Sequence, residues 1–252
     1  YNVFYAIDTP AARPELGNAV DYLNMVNELK WNDGANDPYS VYSQDYINSY
    51  ASNNASDPIH YPDTDWADVM LKDRTHHQRH ALSIAGGREN LRTKFTFNYY
   101  NGEGYYKYRG FERYSGRVNN DWQITKWLKA NVDLDFALTD SSAPSNNNVV
   151  YYSYVVAPIY GPYWADGRYA DVKDGANILA ATEEGGTNHR NNYRMGGKIQ
   201  LDITPVKHLT VTTIFSPRFN FTKVKNFQRA VNVEKEDGTI LKSQFHQNTN
   251  LY

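Results

Sequence analysis

The chain carries a repeated alternation of apolar and polar residues that predicts β-strands along much of its length. The stretch Leu128 to Asp140 reads LKANVDLDFALTD, with leucine, valine and phenylalanine on one parity and lysine, asparagine and aspartate on the other. A period of two residues places the two sets of side chains on opposite faces of a strand. The same pattern recurs near residues 1–7, 80–87, 91–100, 114–124, 197–204 and 209–221. The sequence therefore predicts an all-β protein made of antiparallel, amphipathic strands.

Helical periodicity is confined to a few connecting segments. Asn18 to Lys30 has apolar residues at helical spacing behind a capping asparagine, which predicts a helix. Shorter helices are expected at Gln44 to Tyr50 and at Asp65 to Leu71. The segment Phe227 to Phe245 is predicted to form a hairpin that turns at residues 236–238.

The connections between strands alternate between long and short. Tight turns are predicted at residues 86–90, 125–127 and 204–208, and longer segments separate the remaining strands. In an up-and-down order, alternate connections lie at the same end of the sheet, so the tight turns share one end. Outer-membrane barrels have this asymmetry between short turns and long outer loops. Pro217 falls inside a strand pattern and predicts a bulge or an unpaired position.

These patterns divide the chain into five regions. We expect a first strand over residues 1–9, a long outer loop over 10–78, a strand meander over 79–139, a second long outer loop over 140–192, and further strands over 193–252. Strands of ~10 residues with charged polar faces favour the wall of a membrane barrel.

Composition narrows the class of protein. The 252 residues carry a formal net charge of −2, no cysteine, 22 tyrosines, 10 phenylalanines and 5 tryptophans. A near-neutral charge gives no electrostatic case for nucleic-acid binding, and the lack of cysteine excludes disulfides and thiolate zinc sites. The mean hydropathy of −0.72 does not exclude a membrane barrel, because barrel strands are only half apolar.

Three stretches carry motifs whose order and spacing are typical of one transporter family. YPDTDWADVMLKD has an Asp-Trp pair before a short helix, and HALSIAGGRENLRTKFTFNYYNGEG has a Gly-Gly turn and a tyrosine-rich strand. FERYSGRVNNDWQITKWLKANVDLDFAL has Arg117-x-Asn119 before a Trp-Leu-Lys turn. Together they resemble the SusC/RagA family of TonB-dependent outer-membrane transporters of Bacteroidetes. The resemblance runs with decreasing sharpness from Tyr1 to about Thr213.

The resemblance implies part of a transmembrane β-barrel of about 22 strands, with long extracellular loops that contain short helices. It implies the outer membrane of a Gram-negative, Bacteroidetes-like cell, a SusD-like surface lipoprotein as partner, and the TonB complex as energy source. The implied function is import of oligosaccharides (glycans) or peptides, with no enzymatic activity, cofactor or nucleic acid. Neither the family's plug nor its TonB box is recognisable, and Tyr1 opens within a strand pattern. We therefore expect a fragment of a longer protein.

In such a barrel the charged parity of each strand lines a wet lumen. The residues expected to face the lumen are Arg92, Lys94, Arg117, Asn119, Asp133, Asp135, Lys198 and Asp202. The Cα atoms of Asp133 and Asp135 lie ~6–7 Å apart on one strand face, which also resembles the carboxylate pair of glycosidases. Nearly every strand carries an ionisable residue on this parity, so the lining interpretation is favoured.

The long loop after Asp140 is the best candidate for substrate binding. Its crowded aromatic rings can stack on sugars, and its charged neighbours can hydrogen-bond hydroxyl groups. The candidate residues are Tyr151, Tyr152, Tyr154, Tyr160, Tyr163, Trp164, Asp166 and Arg168. The alternative left open by the sequence is that this loop packs on itself or against a partner lid.

Two further interpretations of the sequence concern a metal site and an enzymatic function. The segment HHQRH could place His76 and His80 on one face of a helix for a metal, but it precedes a β pattern and has no acidic third ligand nearby. The acidic loops at 32–38 and 63–68 offer oxygen ligands for calcium, but neither has the spacing of an EF-hand. We therefore expect no metal site. A secreted, soluble β-sandwich hydrolase that acts on carbohydrates through Asp133 and Asp135 is the second function class. It requires the apolar row of Leu134 to be buried under a second sheet.

Overall fold

The structure, a computed structural model, describes residues 1–145, 148–172 and 177–242. Its main feature is one antiparallel sheet in which successive strands pair in chain order. The strands are β1 (Asn2–Asp8), β2 (Thr75–Arg88), β3 (Leu91–Glu103), β4 (Gly110–Thr125), β5 (Leu128–Pro144), β6 (Gly186–Val206), β7 (Leu209–Phe215) and β8 (Arg218–Gln228). The predicted all-β, up-and-down architecture is confirmed.

Five helices and a small hairpin lie in the connections of the described chain. The helices are α1 (Ala19–Asn32), α2 (Gln44–Ser56), α3 (Trp66–Met70), α4 (Val149–Val155) and α5 (Ile178–Glu183), and the hairpin pairs β9 (Val233–Glu234) with β10 (Ile240–Lys242). None of these helices is both long enough and apolar enough to span a membrane.

Local capping explains why the first three helices were predictable. The side chain of Asn18 accepts a hydrogen bond from the Asp21 N–H, and the Asp21 carboxylate accepts one from the Asn18 N–H. This reciprocal capping box satisfies two backbone donors at the start of α1. At the starts of α2 and α3, the side chains of Ser43 and Asp65 accept hydrogen bonds from backbone N–H groups, without the reciprocal bond. The short helices α4 and α5 were not predicted, because their few turns depend on tertiary packing.

The short connections lie at one end of the sheet and the long ones at the other. Residues 89–90, 126–127 and 207–208 form the tight turns, while residues 9–74, 104–109 and 145–185 connect strands at the opposite end. The predicted asymmetry of turns and loops is therefore present.

Several strands extend beyond their predicted ends. β2 begins at Thr75 rather than residue 79, because His76 and His77 pair with Ile7 and Ala6 of β1. β6 begins at Gly186 rather than residue 193 and pairs there with the extended end of β5. These extensions carry polar residues on both faces, so alternation of hydrophobicity could not indicate them.

A break in the pairing separates β7 from β8. Both pair with β6, β7 along its second half and β8 along its first, so they form one interrupted strand path. Phe215 is opposite Ile199 and Arg218 is opposite Gly196, so the register is the same on both sides of the break and no extra residue is inserted. The N–H of Gly197 donates to the carbonyl of Pro217 at 3.0 Å, and the Ser216 hydroxyl donates to the Gly197 carbonyl at 3.0 Å. Of the two alternatives predicted at Pro217, the position outside the strand pairing is present and the bulge is not. The turn predicted at residues 236–238 is also present, whereas Phe245 lies outside the described residues.

One face of the sheet is apolar and uncovered. Leu134 is 53% exposed, Phe136 45%, Met195 63% and Phe219 70%. In the described part of the chain no second sheet lies over these residues, since the other sheet is the two-stranded hairpin. The apolar row is therefore not the core of a β-sandwich, contrary to the requirement of the hydrolase interpretation.

A row of large side chains marks the end of this apolar face that lies nearer the long loops. Strand register aligns His80, Tyr99, Tyr114, Leu138, Tyr193 and Phe221 across five pairings. Beyond this row the same face turns polar, and Trp122 lies eight residues from Tyr114 towards the tight turns. Eight residues span ~27 Å along a strand, or ~20 Å of membrane depth at a tilt of ~40°. This band matches the hydrocarbon height of an outer-membrane barrel.

The hydrophobic core lies in the loops rather than in the sheet. One cluster joins Trp66 and Met70 to Val149 and to Leu179 of α5. A second cluster joins Leu23 of α1 to Tyr50 of α2. We call the described loop segments 9–74, 104–109, 148–172 and 177–185 the outer cap. Its packing closes one end of the sheet with a small, separately cored layer.

An arginine introduced at Leu134 should destabilise the protein strongly. Leu134 lies on the apolar face midway between the rows of Tyr114 and Trp122, so Leu134→Arg would place a charge near the bilayer midplane. We expect a loss of about 2–4 kcal/mol for folding into lipid vesicles, measured by urea titration of the full-length protein. Asn191→Arg, on the same face beyond the aromatic row, is the matched control and should change stability by less than about 1 kcal/mol. Equal effects would contradict a lipid-facing surface.

Candidate functional site: the polar face and the outer cap

The eight residues predicted to line a lumen share one face of the sheet. Register places Lys94, Asn119, Asp133 and Lys198 in one row across four strands. Arg117 is opposite Asp135 in the next row, and Arg92 and Asp202 lie on the same parity nearer the tight turns. The sheet therefore has one charged face and one apolar face. That the charged face lines a lumen stays a prediction.

Charges on this face compensate each other locally. Asp133 accepts hydrogen bonds from the Arg117 guanidinium at 3.3 Å and from the Asn119 amide. Asp135 lies 3.8 Å from the Arg194 guanidinium. The two carboxylates thus belong to separate ion pairs with separate arginines. This arrangement fits a polar lining and gives neither aspartate the unpaired setting of a general acid.

Glu183 connects three other residues of the outer cap. Its carboxylate accepts hydrogen bonds from the Tyr169 hydroxyl at 2.8 Å and the Tyr163 hydroxyl at 3.2 Å, and it forms an ion pair with Lys107. Burial raises the pKa of Glu183, but the hydrogen bonds from Lys107 and the tyrosines outweigh burial and lower the pKa below its ordinary value. The charged carboxylate therefore links the 104–109 loop to the second long loop.

Three candidate binding residues instead hold the β9–β10 hairpin against the cap. The Arg168 guanidinium donates to Asp166 at 2.6 Å and to the Glu234 carboxylate at 2.7 Å. The Trp164 indole donates to the backbone carbonyl of Glu234 at 2.7 Å. Asp166, Arg168 and Trp164 are thus occupied by contacts within the chain, as the self-packing alternative described.

The remaining aromatic candidates differ in their exposure. Tyr160 packs against the first hydrophobic cluster, and Tyr154 is half-buried. Tyr151 is 63% exposed and Tyr152 38%, and their rings meet edge to face with centroids 5.3 Å apart. Tyr151 is the most exposed of the predicted aromatic binding residues, and Tyr152 lies beside it. Tyr163 is 37% exposed, but its hydroxyl is bonded to Glu183 and its ring stacks on Tyr169.

His60 links the first long loop to the same hairpin. Its imidazole Nε2 lies 3.1 Å from the Glu236 carboxylate, and its Nδ1 lies 2.7 Å from Asp57. Hydrogen bonding to Glu236, and next to Asp57, raises the pKa of His60 above its ordinary value. This contact was not predicted, since 176 residues of sequence separate the two partners.

The proposed metal-ligand segments have other roles. The HHQRH segment lies in strand β2, not in a helix, and His76 and His80 hydrogen-bond to the hydroxyls of Tyr5 and Tyr1. Asp65 of the second acidic loop caps α3. The described residues contain no group of three or more histidine, cysteine, aspartate or glutamate side chains arranged to hold a metal.

A cavity that the sequence did not indicate lies on the polar face beside the outer cap. It has a volume of ≈ 1070 Å³ and is lined by residues of β1–β4 and the 104–109 loop. Phe4, Tyr100 and Phe111 are among its lining residues. The only sequence signal is that these rings fall on the polar parity of their strands. Their meeting depends on long-range strand pairing.

Comparison with known proteins finds similarity to a TonB-dependent receptor and to a peptide importer. No family model matches the chain. Over 183 residues the chain is 29% identical to "TonB-dependent receptor P26" of Formosa agariphila, a match that covers 68% of this chain and 18% of the relative. The chain therefore spans less than a fifth of the length of that curated relative.

Solved structures share the fold. The RagAB peptide importer in its 'closed-closed' state matches 88% of this chain and 28% of its own, at 20% identity and a TM-score of 0.61. The same importer in its 'open-open' state matches 91% of this chain and 28% of its own, at 18% identity and a TM-score of 0.63. Their names describe a receptor and peptide importers. In the described residues, the uncovered apolar face lacks the second sheet that the hydrolase interpretation requires.

Replacing Glu183 should loosen the outer cap without unfolding the sheet. Glu183→Gln leaves Lys107 without its partner and weakens the bonds from both tyrosines, so we expect local opening of the 104–109 and 160–170 segments to become easier by about 1–2 kcal/mol. Hydrogen exchange of these segments measures it. Glu184→Gln, an exposed neighbour, is the control and should leave exchange unchanged. Slow exchange retained in both variants would contradict a linking role for Glu183.

Docking of the β9–β10 hairpin should depend on pH. Because the pKa of His60 is raised in the folded state, its contribution is complete below the ordinary value near 6.5 and is lost as pH rises through the raised value. Hydrogen exchange of residues 233–242, corrected for intrinsic rates, should show less protection at pH 9 than at pH 6. Glu236→Gln should flatten this dependence. Equal protection at both pH values in the unmodified chain would count against the contact.

Proposed function

We propose a function from the premise that this chain is a segment of a SusC/RagA-like TonB-dependent transporter. The segment forms part of the barrel wall and extracellular cap of an outer-membrane nutrient importer. Its substrate is an oligosaccharide derived from a glycan, and it works in a Bacteroidetes-like cell with a SusD-like surface lipoprotein. TonB supplies the energy through a region outside this chain. No covalent bond of the nutrient is broken.

The observation that carries this proposal is the opposite polarity of the two faces of one sheet. Leu134 and Phe136 are exposed on the outer face, while Asp133 and Asp135 lie on the other face among compensating charges. A wall between lipid and water needs this arrangement, because lipid cannot solvate charges and a wet lumen can. The cap at the long-loop end then lies on the extracellular side.

The cap supplies the first contact with the nutrient. Tyr151 and Tyr152 present free ring surface at the start of α4, where a sugar ring can stack before it enters the lumen. The charged face of the sheet then provides exchangeable hydrogen bonds along the transit path. Movement of a plug, driven by TonB, opens that path.

A lipoprotein lid has an exposed apolar surface to contact. On α1, Met25 is 49% exposed and Leu29 56%, and these two residues lie one helical turn apart on the side opposite buried Leu23. Trp31, which is 49% exposed, adds a further apolar group near the end of the helix. Exposed apolar groups of this size mark protein interfaces when they cluster. We therefore place part of the lid contact on α1, with lipid of the outer membrane against the apolar face of the sheet.

A peptide is the second candidate substrate. The similar solved structures are of a peptide importer, and the lumen charges would suit a peptide as well as a sugar. Crowded tyrosines with free faces favour the sugar.

Binding measurements on the full-length transporter with its lipoprotein distinguish between the two candidate substrates. We expect saturable binding of at least one oligosaccharide in a panel of glycan fragments and peptides, measured by calorimetry in detergent. Tyr151→Ala combined with Tyr152→Ala should weaken that binding about tenfold, the cost of losing a buried aromatic contact. Tyr39→Ala, at an exposed tyrosine elsewhere in the cap, is the control. Binding of peptides alone would transfer the proposal to peptide import, and binding of neither would refute it.

A further inference from the structure

A ladder of four rings crosses the polar face of β1–β4. It runs from Phe4 to His77, Tyr100 and Phe111, with neighbouring ring centroids 5.5, 5.9 and 5.7 Å apart. Each ring lies on a different strand, so the ladder crosses the sheet rather than following one strand. Phe4 is 53% exposed and Phe111 39%. The ladder thus offers a continuous apolar strip along one wall of the ≈ 1070 Å³ cavity.

Three arginines flank this ring ladder. Arg79 is paired in register with Phe4 and Tyr100, and Arg113 with Tyr100 on the other side. Arg109 comes from the 104–109 loop and also lines the cavity. Gly104 makes this position possible, since a Cβ atom there would lie 2.1 Å from Cγ of Arg109.

The positive charge of these arginines is uncompensated by the described residues. None of the three forms an ion pair with a described carboxylate, and Arg79 donates only to the Asn98 amide oxygen, at 3.3 Å. The two carboxylates at the cavity margin are already engaged. Asp8 is bound to His77 at 2.6 Å, and Glu103 to Lys72 at 3.1 Å. The cavity therefore combines an apolar strip with three available guanidinium groups.

We propose that this cavity binds an acidic oligosaccharide, one that carries carboxylate or sulfate groups. The ring ladder contacts the faces of the sugar units, and the guanidinium groups of Arg79, Arg109 and Arg113 bind the acidic groups through paired N–H donors. The inference rests on the proposed import function and adds the charge of the substrate. It also places a second binding region below the cap tyrosines, on the lumen side of β1–β4.

Charge selectivity follows from desolvation. A bound oligosaccharide would remove water from the guanidinium groups, which costs free energy unless an anion replaces the lost hydration. A neutral sugar stacks on the same rings but leaves the arginines without a partner. The cavity should therefore distinguish acidic from neutral oligosaccharides of the same length, and the distinction should weaken at high salt.

The experiment compares matched ligands on the full-length transporter with its lipoprotein. The probes are an oligogalacturonate, its fully methyl-esterified neutral form and an oligoglutamate of similar length, with binding measured by calorimetry at low and high salt. We expect the acidic sugar to bind about tenfold more tightly than the neutral form. Arg79→Gln with Arg113→Gln should remove that difference, chiefly by weakening the binding of the acidic sugar.

Two controls keep the variants interpretable. Arg88→Gln removes an arginine near the tight turns, away from the cavity, and should leave the preference intact. Arg113→Lys retains the charge without the paired donors and should lose part of the preference. Heat-modifiable mobility in gel electrophoresis reports whether each variant has folded.

The outcomes separate this inference from the import function. Equal binding of acidic and neutral sugars, unchanged in the Arg79→Gln, Arg113→Gln variant, would overturn the charge assignment and leave import standing. Arginine-dependent binding of oligoglutamate but not of oligogalacturonate would overturn the sugar assignment. Failure of every oligosaccharide to bind would instead remove the proposed function on which the inference rests.

Discussion

Strand register is the constraint on which the rest of this structure depends. Backbone hydrogen bonds fix which residues lie opposite each other, and a slip of one residue would transfer every side chain to the other face. Register aligns Tyr99, Tyr114 and Tyr193 on the apolar side and Asn119, Asp133 and Lys198 on the polar side. One pairing scheme therefore establishes the apolar face, the charged face and the ring ladder together.

The sheet has no core of its own, so packing is concentrated in the outer cap. Leu23, Tyr50 and Trp66 are almost completely buried there, although they belong to connections between strands. Polar links at Glu183 and Arg168 complete the cap, and they use several aromatic and charged groups that the sequence offered as ligands. Tyr151 and Tyr152 remain exposed, while most of the other candidates make contacts within the loop or with the hairpin. Which of them contact a substrate stays a prediction.

Much of the fold could be predicted because its signals are local. The Asn18 cap, the alternation from Leu128 onward and the strand break at Pro217 all act within a few residues. Prediction from the sequence failed where an element is stabilised by residues that are far away in the chain. Helix α4 depends on packing of Val149 against the cap cluster, and the first residues of β2 are strand because β1 pairs with them. Of the candidate site, sequence indicated which parity is charged but not which loop tyrosines are free.

By itself, the sequence determined an amphipathic meander with turns at one end and large loops at the other, since strand periodicity and turn chemistry are encoded locally. It also carried the family resemblance that the comparisons support. Only the tertiary structure decided that the apolar row is uncovered, that Asp133 and Asp135 belong to separate ion pairs, and that Phe4, His77, Tyr100 and Phe111 form one ladder. Each of these depends on contacts between residues far apart in the chain, whose alignment is established by pairing and packing rather than by any local pattern.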